Sequence, residues 1–258
     1  MNRFFIMVSL VSLTACSSTP EKPDRKTNGM VSQEHFVQGV QKLDAQDYAG
    51  ALVDFKQSAK SDPDRWDVHM NMAIAYSRDA KFNEALGEIE QAFRRGGDKE
   101  SIVYFNLGNI YQERGMYSEA TRAYRAALAV GDAKDLDTLI NLGAAYLFSF
   151  EYDNATATYD YVRSIAPDDP RALHGLGLVL QAQNRYVDAL AMYEQANAMA
   201  PNFAQAYFNK SWVLAALGRW QEAINAMETY LQKDPDGPYV KRANGHLRLY
   251  RAKLENPS

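Results

Sequence analysis

The stretch Asn106–Leu128, NLGNIYQERGMYSEATRAYRAAL, reads as two helices with a break between them. Leu107, Ile110 and Tyr111 recur at helical spacing, Gly115 interrupts, and a second run opens on Tyr117 with Ala120 three residues later. The opening aromatic recurs as Tyr48, Phe82, Tyr117, Tyr152, Tyr186 and Trp220, at gaps of 34, 35, 35, 34 and 34 residues. Three residues after each comes Ala51, Ala85, Ala120, Ala155, Ala189 and Ala223. Nine residues before each sits Gly39, Ala73, Gly108, Gly143, Gly177 and Ser211. Three linked positions filled in every copy mark an internal repeat of a helix pair.

The small residues let paired helices approach closely, because a large side chain there would push the axes apart. One pair buries only part of its apolar surface, so successive pairs must stack to finish the core. Helix stops punctuate the same period: Pro63, Pro167, Pro201 and Pro235 close four copies, and Gly96-Gly97 and Gly131 close the two longer ones.

This pattern resembles the tetratricopeptide repeat, whose signature is a Leu-Gly pair, a tyrosine three residues on, a later alanine, an aromatic four after that and a closing proline. Leu107, Gly108, Tyr111, Ala120 and Tyr124 match in one copy; Leu142, Gly143, Tyr146, Ala155, Tyr159 and Pro167 in the next; Leu176, Gly177, Ala189, Tyr193 and Pro201 in the one after. Lys42 departs from the tyrosine in the first copy, and the signature tryptophan is absent throughout. The resemblance spans Ser32 to Gly237 and implies an all-α fold, a right-handed superhelix of six helix pairs over 32–65, 66–100, 101–135, 136–169, 170–203 and 204–237. Residues 238–258 follow as a capping helix and tail, with Tyr239, Ala243, Leu247, Tyr250 and Leu254 at helical spacing and Lys241, Arg242, Arg248, Arg251 and Lys253 elsewhere on the wheel.

The chain of 258 residues is 47% apolar and 23% charged, ordinary for a protein that buries a core. A net charge of -4, with both signs spread along the chain, leaves no electrostatic footprint for nucleic acid. At the start, MNRFFIMVSLVSLTAC has one basic residue, Arg3, before an apolar run from Phe4 to Leu13 that is too short to span a bilayer as a helix. It reads as an export signal over residues 1–15. Leu13-Thr14-Ala15-Cys16 resembles the lipobox of bacterial lipoproteins, which implies cleavage before Cys16 and a diacylglycerol on its thiol, with later palmitate-type acylation. An ordinary secretory signal is the alternative, but Leu13 is too large for the small-residue cleavage pattern and the chain's one cysteine falls where the apolar run ends. Residues 16–31, polar and broken by Pro20 and Pro23, read as a tether. Roughly fifteen such residues reach on the order of 20 Å. By the family's sorting rule, Ser17 implies the periplasmic face of the outer membrane, with lipid as the route of membrane attachment.

Catalytic chemistry does not follow from the sequence, and an enzyme is not expected. With one cysteine there is no disulfide, thiolate metal site or second thiol for redox work. His35, His69, His174 and His246 share no metal-ligand spacing, and no phosphate loop or nucleophile elbow occurs, so no cofactor and no metal are implied. Asp132, Asp135 and Asp137, like Asp168 and Asp169, fall in inter-repeat turns, where carboxylates cap the next helix.

In the repeat family the first helix of each pair lines a concave groove. The corresponding positions here hold Met70, Asn71 and Ile74; Phe105, Asn106, Asn109 and Gln112; Ile140, Asn141, Ala144 and Phe148; His174 and Leu178; and Phe208, Asn209 and Trp212. Asn71, Asn106, Asn141 and Asn209 share one repeat position. Each amide could bond the backbone of an extended peptide, or bond its own neighbouring helix. Phe105, Phe208 and Trp212 read equally as anchors or as packing between repeats, and His174 as a polar neighbour. No lysine cluster of the kind that clamps a terminal carboxylate in chaperone-binding relatives is present, which favours an apolar or aromatic segment of a protein partner. A lipobox, a tether and six repeats together resemble the pilotins of type IV pili, which escort secretin subunits. The same arrangement is similar to repeat lipoproteins that gather cell-wall enzymes, and the edge of such a superhelix leaves room for a homodimer.

Overall fold

A computed structural model describes residues 25–255, all of whose regular structure is helical. Cys16, the export signal and the first part of the tether lie outside the described residues. Six helix pairs follow one another: α1 (Arg25–Asp44) and α2 (Tyr48–Ser61), α3 (Trp66–Arg78) and α4 (Phe82–Arg94), α5 (Ser101–Glu113) and α6 (Tyr117–Val130), α7 (Leu136–Phe148) and α8 (Tyr152–Ile165), α9 (Pro170–Ala182) and α10 (Tyr186–Met199), α11 (Ala204–Ala216) and α12 (Trp220–Lys233). The last helix, α13 (Val240–Glu255), packs on α12. Each helix lies against its sequence neighbours, as a solenoid requires.

One correction concerns the start. The tether was expected to run to residue 31, whereas α1 begins at Arg25, and Ser32 is already fully buried, bonded to Ser58 at 3.0 Å. Once the first pair supplies a nucleus, adding a turn costs little, and no proline stands between Pro23 and that nucleus to stop it. Met30 is 70% exposed, so the added turn extends the helix without extending the core.

The repeat's grammar has a direct steric meaning. Each recurrent aromatic is the first residue of a second helix, and each recurrent alanine is wholly buried one turn later. The residue four further on is Phe55, Ile89, Tyr124, Tyr159, Tyr193 or Met227, all buried. Where the small position is glycine, the ring opposite lies on its Cα: a Cβ added at Gly39, Gly143 or Gly177 would meet Phe55, Tyr159 or Tyr193 at 2.5, 2.7 and 2.5 Å. Where that position carries a side chain, Ala73 or Ser211, the residue sixteen further on is aliphatic or thioether, Ile89 or Met227. Volume is conserved across the pair.

The turn inside each pair is equally regular. Gln46, Ala80, Gly115, Phe150, Asn184 and Gly218 all adopt positive φ, between 57° and 76°. Each donates its N–H to the carbonyl three residues back while the next residue reaches five back, as Phe150 to Leu147 at 3.0 Å and Glu151 to Tyr146 at 2.9 Å. This left-handed cap reverses the chain within three residues. Between repeats, Asp135 and Asp169 cap α7 and α9 by accepting the amides of Thr138 and Arg171 at 3.0 and 2.9 Å. Arg171 ties this cap to Asp137 of the preceding repeat at 2.5 Å.

The capping helix buries Ala243, Leu247 and Tyr250 but leaves Leu254 about two-fifths exposed, as is Tyr239 just before its first residue. Lys241, Arg242 and Arg248 are solvated, while Arg251 pairs with Glu228 at 2.7 Å.

Candidate functional site

First helices of successive repeats touch one another directly, α1 with α3, α3 with α5, α7 with α9 and α9 with α11. The layer with the closer spacing lies on the inside of the curve, so these helices line the concave face. Among the sixteen expected groove residues, the structure keeps all but Phe208 at least partly accessible.

Phe208 is a correction. It is 8% exposed, enclosed by Tyr230, Tyr239 and His246 with ring centroids at 5.3, 5.2 and 6.2 Å. In the last repeat the capping helix takes the place of a seventh pair and covers this edge of the groove.

Three of the four asparagines in the row are oriented by their own helices. Asn71, Asn106 and Asn209 donate from Nδ2 to the carbonyls of Asp67, Ile102 and Gln205, four residues back, at 2.8, 2.8 and 3.2 Å. Asn106 also reaches Met70 Sδ at 3.7 Å, and Asn141 donates to Asn109 Oδ1 at 3.3 Å, so neighbouring repeats are cross-linked along the groove. Among the described residues no donor reaches the Oδ1 atoms of Asn71, Asn106, Asn141 or Asn209, which remain as acceptors on the half-buried surface. In the fifth repeat the equivalent residue is Gly175, against which the ring of Tyr159 lies.

Asn109 and Gln112 carry a structural load as well, since the hydroxyl of buried Tyr124 donates to Asn109 Oδ1 at 2.8 Å and to Gln112 Oε1 at 3.3 Å. Burial pushes that hydroxyl's pKa up. His174 sits between Tyr193 and Phe203, ring centroids at 5.8 and 5.2 Å, and accepts from Asn209 Nδ2 on Nε2 at 2.8 Å. Burial lowers its pKa to about 4, so it is a neutral imidazole with its proton on Nδ1.

Toward the ends of α7, α9 and α11 the groove becomes aromatic. Phe148, 49% exposed, stacks on Tyr117 at 5.0 Å, and Trp212 meets Tyr186 edge-on at 5.8 Å. Together with Leu178 they border an open cavity of about 440 Å³. Its wall also includes Phe150, Gln181 and Asn184, which the repeat pattern alone does not single out. One signal was present in the sequence: Phe150 stands at the turn position that holds Gln, Ala, Gly, Asn and Gly in the other copies.

Among the described residues no group of histidine, cysteine and carboxylates could hold a metal ion, and no helix is long and apolar enough to cross a membrane.

Models of the family described as "Tetratricopeptide repeat" match residues 101–131 and 180–247, so these stretches are tetratricopeptide repeats. No curated protein matches it in sequence. Among solved structures, a tetratricopeptide repeat protein from Parabacteroides merdae ATCC 43184 is similar with a TM-score of 0.72 at 18% identity, over 88% of this chain and 89% of that one. PilW, a widely conserved type IV pilus biogenesis factor, gives 0.68 at 19% identity over 82% and 97%. Pseudomonas aeruginosa pilF gives 0.63 at 16% identity over 85% and 99%. At these identities the likeness is one of fold.

Proposed function

We propose that this protein is a non-catalytic scaffold that holds an apolar or aromatic segment of a protein partner along its concave face, as an assembly factor for secretins of type IV pili on the periplasmic side of the outer membrane. The observation that carries the reading is the row of open amide oxygens, Asn71, Asn106 and Asn141, set at one repeat spacing beside half-buried apolar residues. Acceptors at a constant interval meet the backbone N–H groups of an extended chain whatever its side chains, while apolar neighbours select what lies between. The likeness to PilW and pilF supports the pilus role.

The test compares the tagged full-length chain with the triple variant Asn71→Ala, Asn106→Ala, Asn141→Ala, each captured from solubilised envelopes and its partners quantified by mass spectrometry. Asn109 is left intact because the Tyr124 hydroxyl rests on it. Each lost backbone bond is worth about 0.5–1.5 kcal/mol, so affinity should fall by roughly one to three powers of ten with the circular dichroism unchanged. A secretin among the losses supports the reading; a wall hydrolase in its place replaces the pilus role with the adaptor role. A variant that keeps every partner removes the groove as the binding surface.

Membrane attachment through Cys16 has its own test. Cys16→Ser should move the protein from the membrane to the soluble fraction with its helix content unchanged, and intact-mass analysis of the wild type should show an acylated chain starting at Cys16. An unmodified thiol, or a chain that keeps the first fifteen residues, would end the lipoprotein reading.

A further inference from the structure

The cavity at the ends of α7, α9 and α11 has features that core packing does not account for. Phe150 holds φ at 64° and is 78% exposed. A left-handed conformation strains a bulky residue, and glycine fills the equivalent position at Gly115 and Gly218. Its aromatic neighbour is Tyr152, edge-on at 6.4 Å, and with most of its surface in solvent it gains little apolar contact to offset that strain. Residues held in strained conformations concentrate at binding sites. Here the strained residue forms one lip of the 440 Å³ cavity, and Phe148, Tyr186, Leu178 and Trp212 form much of the apolar wall.

The electrostatics of the lining narrow the occupant. No carboxylate, ammonium or guanidinium group lines the cavity. Its two amides have their oxygens engaged by tyrosine hydroxyls, Tyr193 to Gln181 Oε1 at 2.8 Å and Tyr186 to Asn184 Oδ1 at 2.7 Å. That fixes their orientation and leaves Gln181 Nε2 and Asn184 Nδ2 as donors at the rim of an apolar, uncharged floor. Two amide donors suit the backbone carbonyls on either side of a buried side chain; an acyl chain would leave them facing hydrocarbon.

The geometry points to an anchor pocket for one aromatic side chain of a partner peptide, gripped between Phe150 and Trp212, with the flanking peptide carbonyls bonded by Gln181 and Asn184. This deepens the groove reading and rests on it, placing the main specificity at repeats four to six and not along the asparagine row. Phe150 is kept in a strained turn because it closes the pocket.

Trp212 is a built-in reporter. In the purified full-length chain labelled with 5-fluorotryptophan, fluorine NMR should resolve Trp66, Trp212 and Trp220, with Trp212→Phe assigning the middle one. Titration with the blocked peptide acetyl-Gly-Phe-Gly-amide should shift the Trp212 resonance saturably, with half-saturation on the order of 1 mM. The same peptide carrying Glu or Lys in place of Phe should not, and neither should octanoate. Phe150→Gly should raise the unfolding midpoint by about 2–4 °C by relieving the turn, yet weaken the phenylalanine peptide at least about tenfold. Phe148→Ala, outside the strained turn, should weaken it too. A Trp212 signal that ignores the phenylalanine peptide overturns the pocket while leaving the asparagine test untouched. A response to octanoate alone reassigns it to acyl chains, and an undiminished response in Phe150→Gly and Phe148→Ala removes the aromatic lip.

Discussion

Substituting Gly175 by leucine is expected to destabilise this protein by about 3 kcal/mol or more, a larger loss than any surface change. The ring of Tyr159 is 2% exposed and wedged between two helices, α7 of its own repeat and α9 of the next. A Cβ added at Gly143 would meet that ring at 2.7 Å, and one added at Gly175 would come closer still. A ring with backbone from two helices this close to the same edge has little room to step aside, so the side chain is accommodated by separating the repeats. Gly143→Leu, whose Cβ would meet the ring at the longer distance, and Ala155→Phe should cost roughly 1–3 kcal/mol each. Tyr159→Ala should cost about 3–5 kcal/mol by emptying it. Thermal unfolding of the four variants checks this, with an expected drop of about 2–4 °C per kcal/mol. Because each repeat completes its core on the next, the loss should spread to both sides of the joint, visible as faster amide exchange in α7 to α10. Equal midpoints for Gly175→Leu and wild type would mean that the interface between repeats four and five is not where the structure puts it.

The same joint shows what the sequence reveals and what it hides. Gly143 is legible because it recurs on the period, and a recurrence at six copies has one physical cause, the close approach of paired helices. Gly175 is not, because it stands where four of the other five copies keep an asparagine and the first has Val37, and isolated departures carry no period. Its reason appears only once Tyr159, sixteen residues earlier in another repeat, is seen lying on it. Phe208 fails in the opposite direction. It occupies a groove position by register, and it is buried because the chain ends its repeats there and lays α13 across the opening.

For the groove, residue type and register put the asparagines on the first helices of their pairs but do not give the direction of their amides. For three of the four that direction is set by a carbonyl four residues back in the same helix, a local bond that is open to asparagine in most helix interiors. Phe150 was hidden for another reason. Sequence patterns register which residue occurs, whereas its importance lies in a positive φ imposed by a turn that six copies share. The aromatic in that place is informative only against the glycine, asparagine, alanine and glutamine found in the others.

Acid should loosen the fifth and sixth repeats through His174. Its imidazole takes up a proton near pH 6.5 in the unfolded chain and only near about pH 4 in the folded one, because burial among Tyr193 and Phe203 penalises the charged ring. The unfolded state therefore binds more protons across that window, and stability must fall as pH drops through it. The loss begins as the pH passes below about 6.5, reaches about 2 kcal/mol at pH 5, and levels off at about 3 kcal/mol below pH 4. Protonation also turns Nε2 from an acceptor into a donor that faces another donor, Asn209 Nδ2, so the bond joining α9 to α11 is lost with the charge. The groups around the ring, Tyr193, Phe203 and Asn209, carry no charge that could offset it. His246 adds in the same direction, its pKa lowered by burial and then by Arg242. The carboxylates of Asp54, held down mainly by Lys42, and Asp169, held down mainly by Arg171, begin to lose their contribution as the pH falls through the ordinary carboxylate value of 3.8 and finish losing it at their lower folded values, all below the pH 5 at which the comparison ends. Urea unfolding of wild type and His174→Gln at pH 7.5, 6 and 5 separates the contribution of one ring from the rest. Glutamine offers Asn209 an acceptor that does not titrate, so the variant should gain on the wild type by about 2 kcal/mol between pH 7.5 and pH 5. Parallel curves for the two proteins would mean that His174 is solvated when folded and that the contact between the fifth and sixth repeats does not depend on its neutral form.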